Sequence, residues 1–104
     1  MGIALVKDIY SLTESFPKEE QFGLTAQMRR AAVSIPSNIA EGFRRHHNNE
    51  FRQFLYVVLG SCAEVETQTI IAKGLGFIRQ GTEEPLLEKL DHIGRMTTNL
   101  IKKL

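Results

Sequence analysis

Between Phe51 and Ala72 the chain repeats an apolar or small residue at every third or fourth position: Phe51, Leu55, Val58, Cys62, Val65, Thr69 and Ala72. The steps alternate four and three throughout, so all seven fall on one side of an α-helix, near the 3.5-residue period of helices packed along a seam. Phe54 and Leu59 widen that seam into a globular face. Asn48 or Asn49 is placed to cap the start, and Gly74 and Gly76 to stop the helix. A long helix with one apolar side needs other helices to cover it.

Three further segments carry matching patterns. The first, about 3–15, sets Leu5, Val6, Ile9 and Leu12 on one face and ends at Pro17, because the residue before a proline is pushed out of the helical region. "PKEEQFG" follows as a connector with room for one helical turn. Thr25 is positioned as N-cap of the second helix, about 25–45, whose apolar repeat is Met28, Ala32, Ile35, Ile39 and Phe43. Thr82 is positioned to cap a fourth helix, with Pro85 in its first turn, where a missing N–H costs little. Glu83 and Glu84 suit the positive end of that helix dipole, and Lys102 and Lys103 the negative end. Its stripe is Leu86, Leu90, Ile93, Thr97, Leu100 and Leu104, widened by Leu87 and Ile101. No strand pattern, internal repeat or low-complexity segment is present. Short connections between four apolar-faced helices predict an all-α fold, a single domain over 1–104 forming an antiparallel up-down-up-down four-helix bundle.

A chain of 104 residues buries roughly 65% of its unfolded surface on folding, enough for one core without staples. The net charge of +1 gives no global argument for nucleic acid or membrane, so only local clustering could. The single cysteine, Cys62, excludes an intrachain disulfide framework, fits a reducing, cytoplasmic setting and is expected to be a buried small hydrophobe. Lys7 and Asp8 interrupt the apolar start "MGIALVKDIY", so no signal peptide is expected, and Val6 breaks the myristoylation pattern. No run approaches eighteen apolar residues, so no membrane span or membrane partner is expected.

The stretch "RRAAVSIPSNIAEGFRR", 29–45, is the least regular helix in the chain. Pro36 removes the bond its N–H would give to the carbonyl of Ala32, and an interior proline costs about 3 kcal/mol. A kink at Pro36 is therefore expected in helix two, with Ser34, Ser37 or Asn38 reorganising the freed carbonyls. Arg30, Ser34, Ser37, Glu41 and Arg44 follow at three- and four-residue steps, a polar stripe beside the apolar one. In "GSCAEVE", Gly60 and Ser61 precede Glu64 and Glu66; small residues permit close helix approach, and Glu64 or Glu66 is expected to meet Arg29 or Arg30 in an ion pair. No His, Ser or Cys is placed to turn these carboxylates to catalysis.

Two other features bear on partners. Val33, Ala40, Val57 and Ile71 lie off the seams, which implies either a wide core face or a second face buried against another subunit. "RRHHNNEFR" is the densest basic cluster, with Arg44, Arg45, His46, His47 and Arg52 at the corner between helices two and three. It is either a solvated corner complementing a helix C-terminus or a phosphate-contact patch. No interleaved aromatics suggest base stacking. His46 and Glu50, with His92 distant in sequence, are too few ligands for a metal.

"FPKEEQFGLTAQMRRA", "SIPSNIAEG", "FLYVVLGSCAEVETQ" and the closing leucine-rich helix resemble, in this order and over nearly the whole chain, the bacterial 23S rRNA-intervening-sequence proteins. That name records where some of the genes lie and is not an activity. The resemblance implies an antiparallel four-helix bundle assembled as a ring of five subunits. A related branch, the accessory variability proteins of diversity-generating retroelements, is similar in fold and ring, associates with a reverse transcriptase and binds nucleic acid through basic surface. Arg29, Arg30, Ser34, Pro36, Asn38, Glu41, Gly42 and Glu64 match the family motif, which implies no catalytic role for them.

Two expectations of different kinds result. The first is a non-enzymatic, oligomeric interaction module without cofactor or metal, a homopentamer by resemblance, whose further partner is a protein, a nucleic acid or a nucleic-acid-processing protein. Its interface motif would be Ser34, Pro36, Ser37, Asn38, Glu41, Gly42, Gly60, Ser61, Glu64 and Glu66. The second is a nucleic-acid binder acting through Arg44, Arg45 and Arg52, with Arg29 and Arg30 in support.

Overall fold

The seam from Phe51 to Ala72 is one unbroken helix. The computed structural model describes residues 1–104 and places α1 at Ile3–Thr13, α2 at Leu24–Phe43, α3 at Asn48–Gly74 and α4 at Glu83–Lys103, with one 3₁₀ turn at Lys18–Glu20. The fold is all-α, with no strands. Each helix packs on its neighbours in chain order, α2 most extensively on α3, and α4 returns to α1. The long axis is 43 Å, close to the roughly 40 Å that a helix as long as α3 spans at 1.5 Å per residue.

The expected faces meet in one core. Leu5 and Ile9 of α1, Met28, Ala32 and Ile35 of α2, Val58 and Val65 of α3, and Leu86, Leu90 and Ile93 of α4 are all buried there. Thr13, Thr69 and Thr97 sit within these faces and are buried as well. Their hydroxyls donate to the carbonyls of Ile9, Val65 and Ile93 at 2.8, 2.7 and 2.7 Å, so none of these three hydroxyls is stranded.

Helix ends depart from the sequence reading in instructive ways. Thr25 is not the N-cap of α2: Gly23 is, and Thr25 lies buried in the first turn. The Glu20 carboxylate takes the Leu24 N–H at 3.3 Å, supplying the acceptor that a capping hydroxyl would have given. Neither Asn48 nor Asn49 caps α3; His47 holds that position, and Asn49 Oδ1 instead accepts from Arg52 Nη1 at 2.9 Å. Thr82 is at the expected cap of α4 but makes no side-chain cap bond. The Glu83 carboxylate accepts from the Gly81 N–H instead.

The end of α3 is closed by a Schellman motif. Phe77 N–H donates to Ala72 O at 2.9 Å and Gly76 N–H to Lys73 O at 3.0 Å. Gly76 adopts φ 80°, which an L side chain disfavours. The turn delivers Phe77 against Phe16, ring centroids 5.6 Å apart. Lys73, in the last turn of α3, reaches Glu83 Oε1 at 3.0 Å and ties that turn to the start of α4. Lys89 pairs with Asp8 and ties α4 to α1.

Phe43 is an exception to the α2 seam: it is 75% exposed and packs edge-to-face on Phe51. Helix α1 begins beside Ile35 and Pro36, where Gly2 rests, so it does not cover the last turn of α2.

By length and composition α3 matches a membrane-spanning helix, with an 18-residue stretch of mean hydropathy 1.2. One side of it packs into the core, yet only 33% of that stretch is buried within the chain. Tyr56, Val57, Ile70 and Ile71 face outward.

Candidate interaction surface

The polar residues around Pro36 are engaged within the subunit. Asn38 Nδ2 donates to Ser34 O at 2.7 Å. Ser34 Oγ bonds Ala31 O at 2.7 Å and shares a 2.5 Å hydrogen bond with Ser61 Oγ of α3. Two hydroxyls, one on each helix, thus stitch α2 to α3. The side-chain bonds reach the carbonyls of Ser34 and Ala31 rather than Ala32, the carbonyl that Pro36 leaves without its usual donor. Ser37 stays exposed.

Gly42 supplies the close approach that the sequence assigned to Gly60. A Cβ on Gly42 would lie 2.8 Å from Phe54 Cβ and 2.9 Å from Phe51 Cδ1, so α2 and α3 meet there with no room for a methyl group. A Cβ on Gly60 meets nothing within 4 Å; Gly60 faces outward and no helix of its own chain packs on it.

The expected pairing of Arg29 or Arg30 with Glu64 or Glu66 is not made within the subunit. Arg29 turns the other way. Its Nε donates to Thr13 Oγ1 at 2.9 Å and its guanidinium lies over the Tyr10 ring, 4.4 Å from the centroid. That stacked, hydrogen-bonded position is open because Thr13 already donates its proton to Ile9 O and presents a lone pair. Arg30, Glu64 and Glu66 are exposed and take part in none of the ion pairs.

At the α2–α3 corner, Arg44, Arg45, His46 and His47 are exposed and Arg52 is half-buried. Arg45 pairs with Glu41 at 3.0 Å and lies over the Phe54 ring, and Arg52 is tied to Asn49. Arg44 therefore offers the freest guanidinium of the corner. The structure separates the nucleic-acid candidates into this corner and, several turns away along α2, Arg29 and Arg30.

Apolar residues off the seams are exposed, so they do not widen the core. Val33, Val57 and Ile71 are exposed together with Tyr56, Ile70 and Leu75, and Ala40 is exposed beside them on α2. Phe22, in the connector, is 88% exposed. It borders an open groove with Tyr10, Arg29, Arg30, Val33 and Ser37. Sequence reasoning missed Phe22, Tyr56 and Ile70. A signal existed for two of them: Tyr56, Ala63 and Ile70 recur every seventh residue on the side of α3 opposite its core seam.

Two ionisable groups are displaced from their ordinary values. Burial, reinforced by the Glu66 charge, pushes the Cys62 thiol up to about 11, so it stays protonated and serves packing. The hydrogen bond from Lys73, then those from backbone N–H groups including Gly81, hold the Glu83 carboxyl below its usual range. No three His, Cys, Asp or Glu side chains stand close enough to hold a metal ion.

These features define a small all-α, four-helix protein with an apolar outer surface that its own chain leaves uncovered. The chain belongs to the 23S rRNA-intervening sequence protein family, whose model matches residues 1–99. No curated protein matches it.

Proposed function

We propose that this protein is a non-enzymatic interaction module of the bacterial cytosol that assembles with copies of itself into a five-membered ring. The observation that carries this reading is the exposed apolar side of α3, where Tyr56, 57% exposed, and Val57 are followed about four turns along the helix by exposed Ile70 and Ile71. Large apolar side chains left exposed at intervals along one helix side favour an association site. Family membership supports the ring and the number five. The subunit is an antiparallel up-down-up-down bundle. Support comes from contacts that run in opposite senses along neighbouring helices: Ser34 meets Ser61, while Gly42, further along α2, lies against Phe51 and Phe54, earlier on α3. Helix α2 bends at Pro36, where the Ala32 carbonyl lacks its backbone donor. Light scattering coupled to size exclusion tests the assembly directly: a mass near five times 11.8 kDa is expected, and a monomer mass at all concentrations would defeat the reading.

A second reading rests on the exposed corner of Arg44, Arg45, His46 and His47. There a ring repeats a modest cationic patch and binds nucleic-acid backbone multivalently. Arg44→Glu with Arg45→Glu should then abolish binding of a labelled structured RNA, measured by anisotropy across salt, while leaving the oligomer mass unchanged. Binding that survives both changes would remove the corner from consideration.

A further inference from the structure

We infer that the groove bordered by Phe22 and Arg30 binds single-stranded nucleic acid, with an unpaired base on the Phe22 ring and a phosphate at the Arg30 guanidinium. The site is separate from the α2–α3 corner of the second reading and stands or falls apart from it. The turn before α2 brings together an aromatic ring and arginines that the sequence sets seven and eight residues apart. Lys18–Glu20 forms the 3₁₀ turn and Gly23 opens α2, which leaves Phe22 standing out at the edge of the groove, 88% exposed. An aromatic face held in water beside cations is what base stacking uses.

The groove follows one side of α2, from Thr25 through Arg29, Arg30 and Val33 to Asn38, with Tyr10 of α1 along its border. That run of helix spans about 20 Å at 1.5 Å per residue, room for several nucleotides of a strand at about 3.4 Å each. Most of the lining is polar, and no Asp or Glu is part of it, so its only charges are positive. Arg29 is held by Thr13 and the Tyr10 ring and lends its charge from a fixed position. Arg30 is exposed and takes part in no ion pair; Glu64, level with it across the α2–α3 seam, does not pair with it. An open guanidinium suits a phosphate, which it can meet with two donors at once. Gln21 and Ser37, both exposed in the same groove, offer an amide and a hydroxyl to a base edge. A duplex hides its base faces, so only an unpaired strand can stack on Phe22. A bilayer is the poorer fit, since it takes a broad apolar helix face and this groove is concave and polar.

The test is fluorescence anisotropy of a labelled single-stranded DNA oligonucleotide, and of the same oligonucleotide annealed to its complement, titrated across salt. Circular dichroism and light scattering follow helix content and oligomer mass. The single strand should bind, and the duplex should bind about tenfold or more weakly. Phe22→Ala should weaken single-strand binding about tenfold with the salt slope unchanged, because it removes a stack and no charge. Phe22→Trp should keep the affinity. Arg30→Gln should weaken binding and flatten the log–log salt slope by about 0.7, the share of one phosphate contact on a single strand. Arg44→Glu with Arg45→Glu should leave the preference for single strand over duplex in place. Equal binding of strand and duplex would overturn the groove site and spare the corner. Binding that ignores Phe22→Ala and Arg30→Gln but is lost with the two corner arginines would do the same. Absence of binding to either probe would overturn both sites. A lower oligomer mass for folded Phe22→Ala would make Phe22 a subunit contact and overturn the stack. Competition by adenosine monophosphate at equal nucleotide concentration would overturn the strand and assign the groove to a free nucleotide.

Discussion

Gly42 is where the subunit has least freedom. The position accepts no side chain because Phe54 Cβ and Phe51 Cδ1 would stand 2.8 and 2.9 Å from a new Cβ, and Phe54 Cβ belongs to the rigid base of its side chain. Gly42→Ala forces α2 and α3 apart, at a cost of roughly 1–3 kcal/mol for overpacking, against about 1 kcal/mol recovered in helix propensity. The variant should unfold at lower urea than wild type with an unchanged slope, and an unchanged midpoint would mean the two helices separate freely. Glu83 makes a different kind of contribution. Its carboxylate is buried between Lys73 and the Gly81 N–H, and these donors lower its folded pKa below the ordinary value of 4.5. A depressed carboxyl pKa contributes stability that is fully present above the unfolded value and lost as pH falls through the folded one. Glu83→Gln should therefore melt below wild type at pH 7, and the gap should narrow as pH drops beneath 4.5. A gap that stays constant with pH would show that the charge of Glu83 is not what holds the turn.

Helices were legible because their periods are strong. The four seams were readable apart from Phe43 at the end of α2, which is exposed, and Thr69 and Thr97 could be placed in the core since a threonine can return its hydroxyl to the preceding turn. Caps were less legible, because a cap depends on groups outside the helix pattern: the Glu20 carboxylate takes the Leu24 N–H at the start of α2, and α3 starts after His47 with no side-chain cap bond at all. The candidate site was read only in part. The polar residues around Pro36 could be picked out, but Arg29 turning to Thr13 depends on where α1 lies, which no local pattern encodes. Gly60 and Gly42 look alike in sequence, and only the second faces another helix of the chain. Pro36 belongs to this scale too. An interior proline is tolerated at about 3 kcal/mol, and the bend proposed here directs the second half of α2 toward its neighbours. Pro36→Ala is expected to raise the stability of the isolated subunit, yet to lower the oligomer mass at micromolar concentration. An unchanged mass by light scattering would show that the ring does not depend on the bend.

At the scale of the molecule, the core and the outer surface tell different stories about the same helix. Helix α3 buries Leu55, Val58 and Val65 completely, yet leaves Tyr56, Val57, Ile70 and Ile71 to solvent along the same helix. A chain this small gains most of its stability from one core, and covering a second apolar face adds free energy that depends on how many copies are present. Assembly that protects only the folded state couples unfolding to dissociation. The thermal midpoint should then rise with protein concentration, by up to roughly 6–11 °C for each tenfold increase, since a factor of ten is worth about 1.4 kcal/mol and a domain of this size shifts by about 4–8 °C per kcal/mol. Circular dichroism melts at rising concentrations measure this directly. A wild-type midpoint that does not move would mean that the apolar side of α3 stays open in the folded protein, and the stability of the chain would then have to come from the core alone.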